Sequence, residues 1–296
     1  MSDMICFPHL HLMLPHVVRS FSVFGVRITC YGIIIAAAMM AGIFLAVRLA
    51  GRTGQNPDMY FNFALIAIVM SVIGARAYYV AFSWDYYRVY PAEIINLRAG
   101  GLAIYGGVIA GVLTGLIYAL VRHIRPFVLL DTAVPALVLG QGIGRWGNFF
   151  NREAFGGYTD FFTAMQLPVS AVNASDITRQ LSENTVMVNG VECIQVHPTF
   201  LYESVWDLTV ALILVLVLLH GKRRFDGEVF FLYLLLYGAG RFWIERLRTD
   251  QLLIPGTAIP VSMALSGVLV LIGLVSLVTG RMRKGRSRIR YRRRRS

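Results

Sequence analysis

Long uncharged stretches set the first limit on this chain. Residues 28–47 carry no charge and lie between Arg27 and Arg48, and residues 99–121 and 251–280 are also free of charge. Residues 59–82 are interrupted only by Arg76, and residues 126–148 only by Asp131 and Arg145. Residues 208–219 read LTVALILVLVLL, with a helix expected to begin near Thr199, and residues 229–247 are apolar up to Arg241 and Glu245. A bilayer core takes about 20 apolar residues per helix. Seven spanning segments are therefore expected, with Pro255 and Pro260 marking a turn before the last. Composition agrees: 56% of residues are hydrophobic and 15% charged, against roughly 45–50% and about 25% in soluble domains.

Basic residues between the segments set the orientation. Arg48, Arg52, Arg122, Arg125, Lys222, Arg223, Arg224 and the ten of the tail fall on one side, 17 in all. Nine fall on the other: Arg19, Arg27, Arg88, Arg98, Arg145, Arg152, Arg179, Arg246 and Arg248. The richer side is cytoplasmic by the positive-inside rule. The expectation is an all-α membrane protein of seven transmembrane helices, N-terminus outside and C-terminus cytoplasmic. Residues 1–280 form the membrane domain, and the polar stretch 149–198 is a small extracytoplasmic cap between helices four and five. Within the cap, residues 186–196 read as a hairpin turning at Asn189-Gly190. The triplet Asn173-Ala174-Ser175 fits a glycosylation sequon by chance. No basic residue precedes Arg19, and Pro8 and Pro15 interrupt the first apolar run, so the first spanning helix is expected to stay as an uncleaved insertion signal.

The net charge of +12 is local. Ten of the 28 basic residues lie in Arg281–Ser296, leaving 18 against 16 acidic ones elsewhere. A basic segment after an apolar helix reads as a cytoplasmic membrane-surface anchor and argues against nucleic acid as partner. Cys6, Cys30 and Cys193 have no metal-type spacing. A Cys6–Cys193 disulfide is open if both face the oxidising side, and no metal or other cofactor is called for.

The intramembrane polar groups gather at one leaflet. Arg241 sits about 20 Å along its helix from the inner end, with Glu245 beyond it. Arg145 and Arg76 also approach the outer end of their helices, and Tyr31, Tyr105, His197, Glu203 and Asp207 lie near the outer starts of theirs. Asp131 alone falls near the inner surface. Tyr237, Arg241 and Glu245 share a helix face, as do Glu203 and Asp207. Charges within a span are costly and usually pair inside the bundle. For Arg76, snorkelling to outer phosphates is an equal alternative. An enclosed pair of guanidiniums suits a lipid phosphate, which they bind in a two-pronged manner. Gly107, Gly111 and Gly115 repeat every four residues and read as a helix-packing stripe.

Residues 144–156 read GRWGNFFNREAFG. This stretch resembles the signature of prolipoprotein diacylglyceryl transferases, G-R-x-G-N-F-x-N-x-E-x-x-G, at every defined position. YGIII after Thr29 and Cys30, GGLAIYGGVIAG (100–111), HPTFLYE (197–203) and YGAGRFWIERLR (237–248) are similar to further stretches of that family. The resemblance spans nearly the whole chain except the arginine tail and parts of 157–196. It implies that Arg145 and Arg241 hold the lipid phosphate and that Asn148, Glu153 and Gly156 shape the site. Tyr31, Tyr237 and Glu245 match other functional positions. Tyr105 stands where some relatives carry a histidine general base; a phenol with pKa near 10 is a poor substitute. Glu153, Tyr105 and His197 are the candidate bases, although His197 before Pro198 also reads as a helix-start residue.

The reaction so implied moves the diacylglyceryl group of phosphatidylglycerol to the lipobox cysteine of a prolipoprotein signal peptide in the bacterial cytoplasmic (inner) membrane. It forms a thioether and releases glycerol 1-phosphate. Membrane lipids are the remaining partners. A lipid transporter is the rival reading, but no half-to-half repeat or matched pair of broken helices is visible. A non-catalytic scaffold would have no use for charges within the bilayer.

Overall fold

The computed structural model describes residues 3–97, 100–221 and 223–293, with backbone alone for 284–293. Arg98, Lys222, the last three residues and the side chains of the tail from Lys284 lie outside the described residues, so the anchor reading of the tail rests on sequence. The strands are β1 (Ile5–Phe7), β2 (Leu12–Leu14), β3 (Ser20–Val23), β4 (Val26–Thr29), β5 (Met165–Pro168), β6 (Val186–Val188) and β7 (Val191–Val196). The helices are α1 (Cys30–Arg52), α2 (Pro57–Phe82), α3 (Trp84–Tyr87), α4 (Ile104–Val121), α5 (Pro126–Asn151), α6 (Arg179–Glu183), α7 (Thr199–Leu219), α8 (Glu228–Glu245) and α9 (Val261–Arg293).

Six helical stretches are long and apolar enough to cross a membrane among the described residues: α1, α2, α4, α5, α7 and residues 261–283 of α9. Only 17 to 44% of each apolar stretch is buried within the protein. Such faces are stable in lipid, and the chain is a multi-pass membrane protein. The seventh expected stretch is α8, an 18-residue helix carrying Arg241 and Glu245 near its end. Local chemistry sets several helix ends. Asn56 caps α2 by accepting from the Asp58 amide at 2.9 Å, and Pro57 fills the first helical position. The start of α7 falls at Thr199, as expected.

The chain divides into two compact units, residues 43–133 and the remainder, with the boundaries inside α1 and α5. In the 43–133 unit, α2 packs against α4. The glycine stripe serves this contact in part: a Cβ at Gly107 would lie 3.3 Å from the Ser71 carbonyl oxygen, and one at Gly111 3.0 Å from Ser71 Oγ. Gly115 faces looser packing against Phe63, and the closest approach is instead Gly106 against Gly74. Ala50, Tyr60, Tyr118, Ala119 and Leu129 form the unit's buried core.

Arg76, in α2, is buried and does not reach for lipid phosphates. Its Nε donates to the Ile94 carbonyl (2.8 Å), Nη1 to Gly100 (2.7 Å) and Gly101 (2.9 Å), and Nη2 to Glu93 (2.5 Å) and Asn96 (3.2 Å). The guanidinium lies 5.2 Å from the Tyr87 ring centroid. The segment between α3 and α4 would otherwise expose unpaired carbonyls to an apolar setting, and Arg76 satisfies them.

The other unit holds an antiparallel five-stranded sheet in the order β2-β1-β5-β7-β6. The expected hairpin is β6–β7, with Asn189 (φ 51°) and Gly190 (φ 78°) both left-handed, as a two-residue type I′ turn demands. The cap is larger than expected, because residues 5–14 supply two of its strands. Its core joins Ile5, Phe7, Leu167, Ile194 and Val196 to Phe149 of α5 and Phe200 of α7. Cys6 and Cys193 share a buried cluster but remain free thiols. β5 lies between their strands. Two strand spacings, about 9.6 Å, exceed the roughly 7 Å that a disulfide spans between Cα atoms. In the same unit α8 packs against both α7 and α9.

Candidate active site

Three helices of the larger unit build a charged cluster. Glu203 in α7 is its centre, with a side chain only 5% exposed. Its Oε2 is ion-paired with Arg145 Nε of α5, and its Oε1 accepts from Arg241 Nη1 of α8. Arg241 Nη2 lies 2.7 Å from Glu245 Oε2, a charged contact without a directed hydrogen bond. Arg248 Nη1 stands 4.0 Å from Glu203 Oε1, while its Nε and Nη2 grip the Asp250 carboxylate at 2.9 and 2.6 Å. Burial disfavours both charges of this last pair, yet the two-pronged contact outweighs it: Asp250 is held below the usual carboxylate range and Arg248 above the usual guanidinium range.

Small residues let the helices approach. A Cβ on Gly142 would lie 3.2 Å from Asp207 Cβ, and one on Gly240 would fall on the Trp206 indole, whose Nε1 donates to the Leu236 carbonyl at 2.9 Å. A small cleft results, lined by Arg145, Trp206, Asp207, Tyr237 and Arg241 together with Glu203. The Tyr237 ring stacks on Tyr233 with centroids 5.3 Å apart.

The signature loop leaves α5 abruptly. Arg152 (φ 55°) and Ala154 (φ 57°) are left-handed, which turns Glu153 back to accept from Asn148 Nδ2 at 2.9 Å and Asn151 Nδ2 at 3.3 Å. Main-chain bonds then stitch the loop to the ends of α7 and α8. Gly156 N donates to the His197 carbonyl (3.0 Å), Gly157 N to that of Leu247 (2.8 Å), and His197 N to that of Gly157 (3.0 Å). A Cβ at Gly156 would lie 2.8 Å from the Leu247 carbonyl oxygen, so close backbone approach explains the glycine. The Tyr31 ring, at the start of α1, covers Gly147, where a Cβ would come within 2.6 Å of it.

The predicted residues thus divide. Arg145, Arg241, Tyr237 and Glu245 meet in one cluster. Tyr31, Asn148, Glu153 and Gly156 build the adjoining loop, where α5 persists to Asn151 but Asn148 binds Glu153 rather than the arginines. His197 is a helix-start residue, outside the cleft lining; its Nδ1 lies 3.3 Å from the Tyr202 hydroxyl, and burial lowers its pKa. Tyr105 is the second residue of α4, in the other unit. Sequence reasoning missed the bridging role of Glu203, the place of Asp207 and Trp206 in the lining, and Arg248 as a third guanidinium. The signal for Glu203 and Asp207 was present: two acids one turn apart on a helix that is otherwise apolar.

The apolar helices, with ion-paired arginines gathered at one cleft among them, define a multi-pass membrane protein. A family model described as prolipoprotein diacylglyceryl transferase matches residues 19–279. The phosphatidylglycerol–prolipoprotein diacylglyceryl transferase of Bacillus cytotoxicus is 42% identical over 263 residues, covering 88% of this chain and 90% of the relative. Proteins of the same name from Clostridioides difficile and Finegoldia magna are 41% and 39% identical, each over 256 residues, 86% of this chain and 90% and 92% of theirs. The chain belongs to the prolipoprotein diacylglyceryl transferase family.

Proposed function

We propose that this chain transfers the diacylglyceryl group of phosphatidylglycerol to the lipobox cysteine of prolipoproteins, forming a thioether and releasing glycerol 1-phosphate. This is the first step of bacterial lipoprotein maturation. The observation that carries the reading is the pair of guanidiniums, Arg145 and Arg241, converging on one cleft where apolar helices end, in a chain of this family. The protein lies in the bacterial inner membrane. α8 is its seventh span, the N-terminus and the sheet are outside, and the arginine tail is cytoplasmic.

Phosphatidylglycerol enters from the outer leaflet with its acyl chains against the apolar helix faces. Arg145 and Arg241 take the phosphate oxygens, which compete with Glu203 for the same donors. As the carbon–oxygen bond breaks, negative charge grows on the phosphate, and fixed guanidiniums in a poorly hydrated cleft stabilise that charge without reorganising. Glu245 holds Arg241 in place, and Tyr237 and Tyr31 line the approach. Asn148, Glu153 and Gly156 set the shape of the loop that meets the signal peptide.

The test uses purified chain in detergent with phosphatidylglycerol and a lipobox peptide, followed by peptide mass and released glycerol phosphate. Wild type gains one diacylglyceryl mass per peptide with equal glycerol phosphate. Arg145→Ala and Arg241→Ala each lose at least about 100-fold in rate, the scale of removing one transition-state donor, while remaining folded. Near-normal transfer by both variants overturns the clamp.

A further inference from the structure

Asp207 is the group in the cleft that the clamp leaves unused. It is 3% exposed and lines the cleft beside both arginines. Among the described residues it takes no hydrogen bond and no ion pair, whereas Glu203 and Glu245 are both occupied by guanidinium. An enclosed carboxyl without a hydrogen bond is costly in a packed interior, so one that faces a cleft marks a place where something else is received.

Its depth suits the reacting atoms. Asp207 follows Glu203 by four residues, about 6 Å further along α7. Beyond it the helix runs LTVALILVLVLL, with no polar side chain but Thr209. A lipid phosphate on Arg145 and Arg241 sits at the level of Glu203. Its acyl chains must run toward the apolar part of the helix. The methylene that joins them to the phosphate therefore lies on the Asp207 side of the arginines. The other cleft groups serve less well as proton acceptors: Tyr237 is a phenol, and Glu203, even where the phosphate takes Arg145 and Arg241 from it, keeps Arg248 Nη1 4.0 Å from its Oε1. His197 and Glu153 are not in the lining.

We infer that Asp207 is the catalytic residue that accepts the thiol proton of the incoming cysteine. This rests on the transfer reaction proposed above. The sulfur forms its bond to the diacylglyceryl methylene as the thiol proton passes to an Asp207 oxygen. The carbon–oxygen bond breaks, and its electron pair leaves on the phosphate held by the arginines. Asp207 then returns the proton to the departing glycerol phosphate, so the carboxylate is regenerated and no co-reactant is consumed. The groups that face Asp207 are Glu203 on its own helix, Arg145 from α5, and Tyr233, Tyr237 and Arg241 from α8.

The test compares wild type with the isosteric Asp207→Asn and with Asp207→Glu, in the full chain in detergent. Single-turnover transfer to a lipobox peptide is followed from pH 6 to pH 9 with saturating phosphatidylglycerol, and lipid affinity is measured separately by displacement of a fluorescent analogue. The expected result at pH 7 is a loss of about 100-fold for Asp207→Asn with lipid affinity within threefold, and partial activity for Asp207→Glu. Because a free thiol ionises near pH 8.5, the gap between wild type and Asp207→Asn narrows to below about tenfold at pH 9. A merely structural carboxyl would give a gap independent of pH. Transfer by Asp207→Asn within threefold of wild type, a gap constant across the range, or loss of lipid affinity in that variant each overturns the assignment while leaving the transfer reading intact. Failure of folded, lipid-binding wild type to modify the peptide overturns the transfer reading, and the assignment with it.

Discussion

Replacing Glu203 with glutamine removes the negative charge at the centre of the cluster and changes little else in shape. The wild-type carboxylate is 5% exposed, is ion-paired with both Arg145 and Arg241, and has Arg248 at 4.0 Å. Removing one partner of a buried ion pair costs about 3–5 kcal/mol, mostly because the opposite charge is left without compensation. Two features place Glu203→Gln near the lower end. The amide keeps one carbonyl acceptor, and Arg241 retains Glu245 at 2.7 Å. A loss of about 3 kcal/mol corresponds to a melting temperature lower by about 5 °C in a chain of this size. The same variant leaves positive charge unanswered in the cleft, so an entering phosphodiester no longer competes with a carboxylate. Short-chain phosphatidylglycerol should therefore raise the melting temperature of Glu203→Gln by more than that of wild type. The measurement is thermal unfolding of purified protein in detergent, with and without the lipid. A melting temperature within about 2 °C of wild type, or equal stabilisation of both proteins by lipid, would refute the reasoning that Glu203 balances the arginine pair.

Arg76→Ala should release the carbonyls of Glu93, Ile94, Asn96, Gly100 and Gly101, and amide exchange across these residues should quicken at least about tenfold, since charged hydrogen bonds are each worth about 1.5–3 kcal/mol. Unchanged exchange would mean that the segment holds itself. In the cap, the hydrogen bond from His9 and then that from Gln195 hold Asp160 below its ordinary pKa. A depressed carboxylate contributes stability that is present above its unfolded pKa and lost as pH falls through the folded one. Protection of the β1 and β7 amides, taken against intrinsic exchange at each pH, should therefore fall from pH 5 to pH 3 in wild type, and less steeply in Asp160→Asn. Burial first, then Cys6 and Glu192, pushes the Cys193 thiol up to about 11. Maleimide at pH 7.5 should leave Cys193 unlabelled in folded protein and label it once denatured without reductant; a need for reductant would point to a disulfide.

Much of the helical framework was legible because lipid imposes a coarse rule. An apolar run of membrane length has few alternatives to a helix, so α1, α2, α5 and α7 lie close to their expected places. Punctuation helped at Thr199 after Pro198 and at Asn189-Gly190, where the chemistry of one or two residues fixes the backbone. The cap sheet was less legible. β1 and β2 have three residues each, too few for alternation to emerge; they pair with each other, and β1 joins the rest of the sheet only through β5, where Cys6 pairs with Gln166. Pairing at that separation depends on packing, as Ile5 and Phe7 against Leu167 and Ile194 illustrate.

The site shows a different limit. Spacing places Tyr237, Arg241 and Glu245 on one face of α8, and Glu203 and Asp207 on one face of α7, but it does not say which faces meet. That is decided in part by Gly240, where a Cβ would collide with the Trp206 indole, and by Gly142, where one would crowd Asp207 and Leu208. A depth argument treats all outer arginines alike, yet Arg76 spends its donors on five carbonyls of its own unit, while Arg145 and Arg241 turn theirs to a carboxylate in a cleft. The difference lies in what each guanidinium can find nearby. A loop with unpaired carbonyls absorbs all the hydrogen-bonding capacity of an arginine and leaves none for a ligand. A single buried carboxylate shared between two arginines leaves donors over, and it can be displaced by an anion of similar geometry. Legible positions thus become a legible site only once the acceptors around each cation are known.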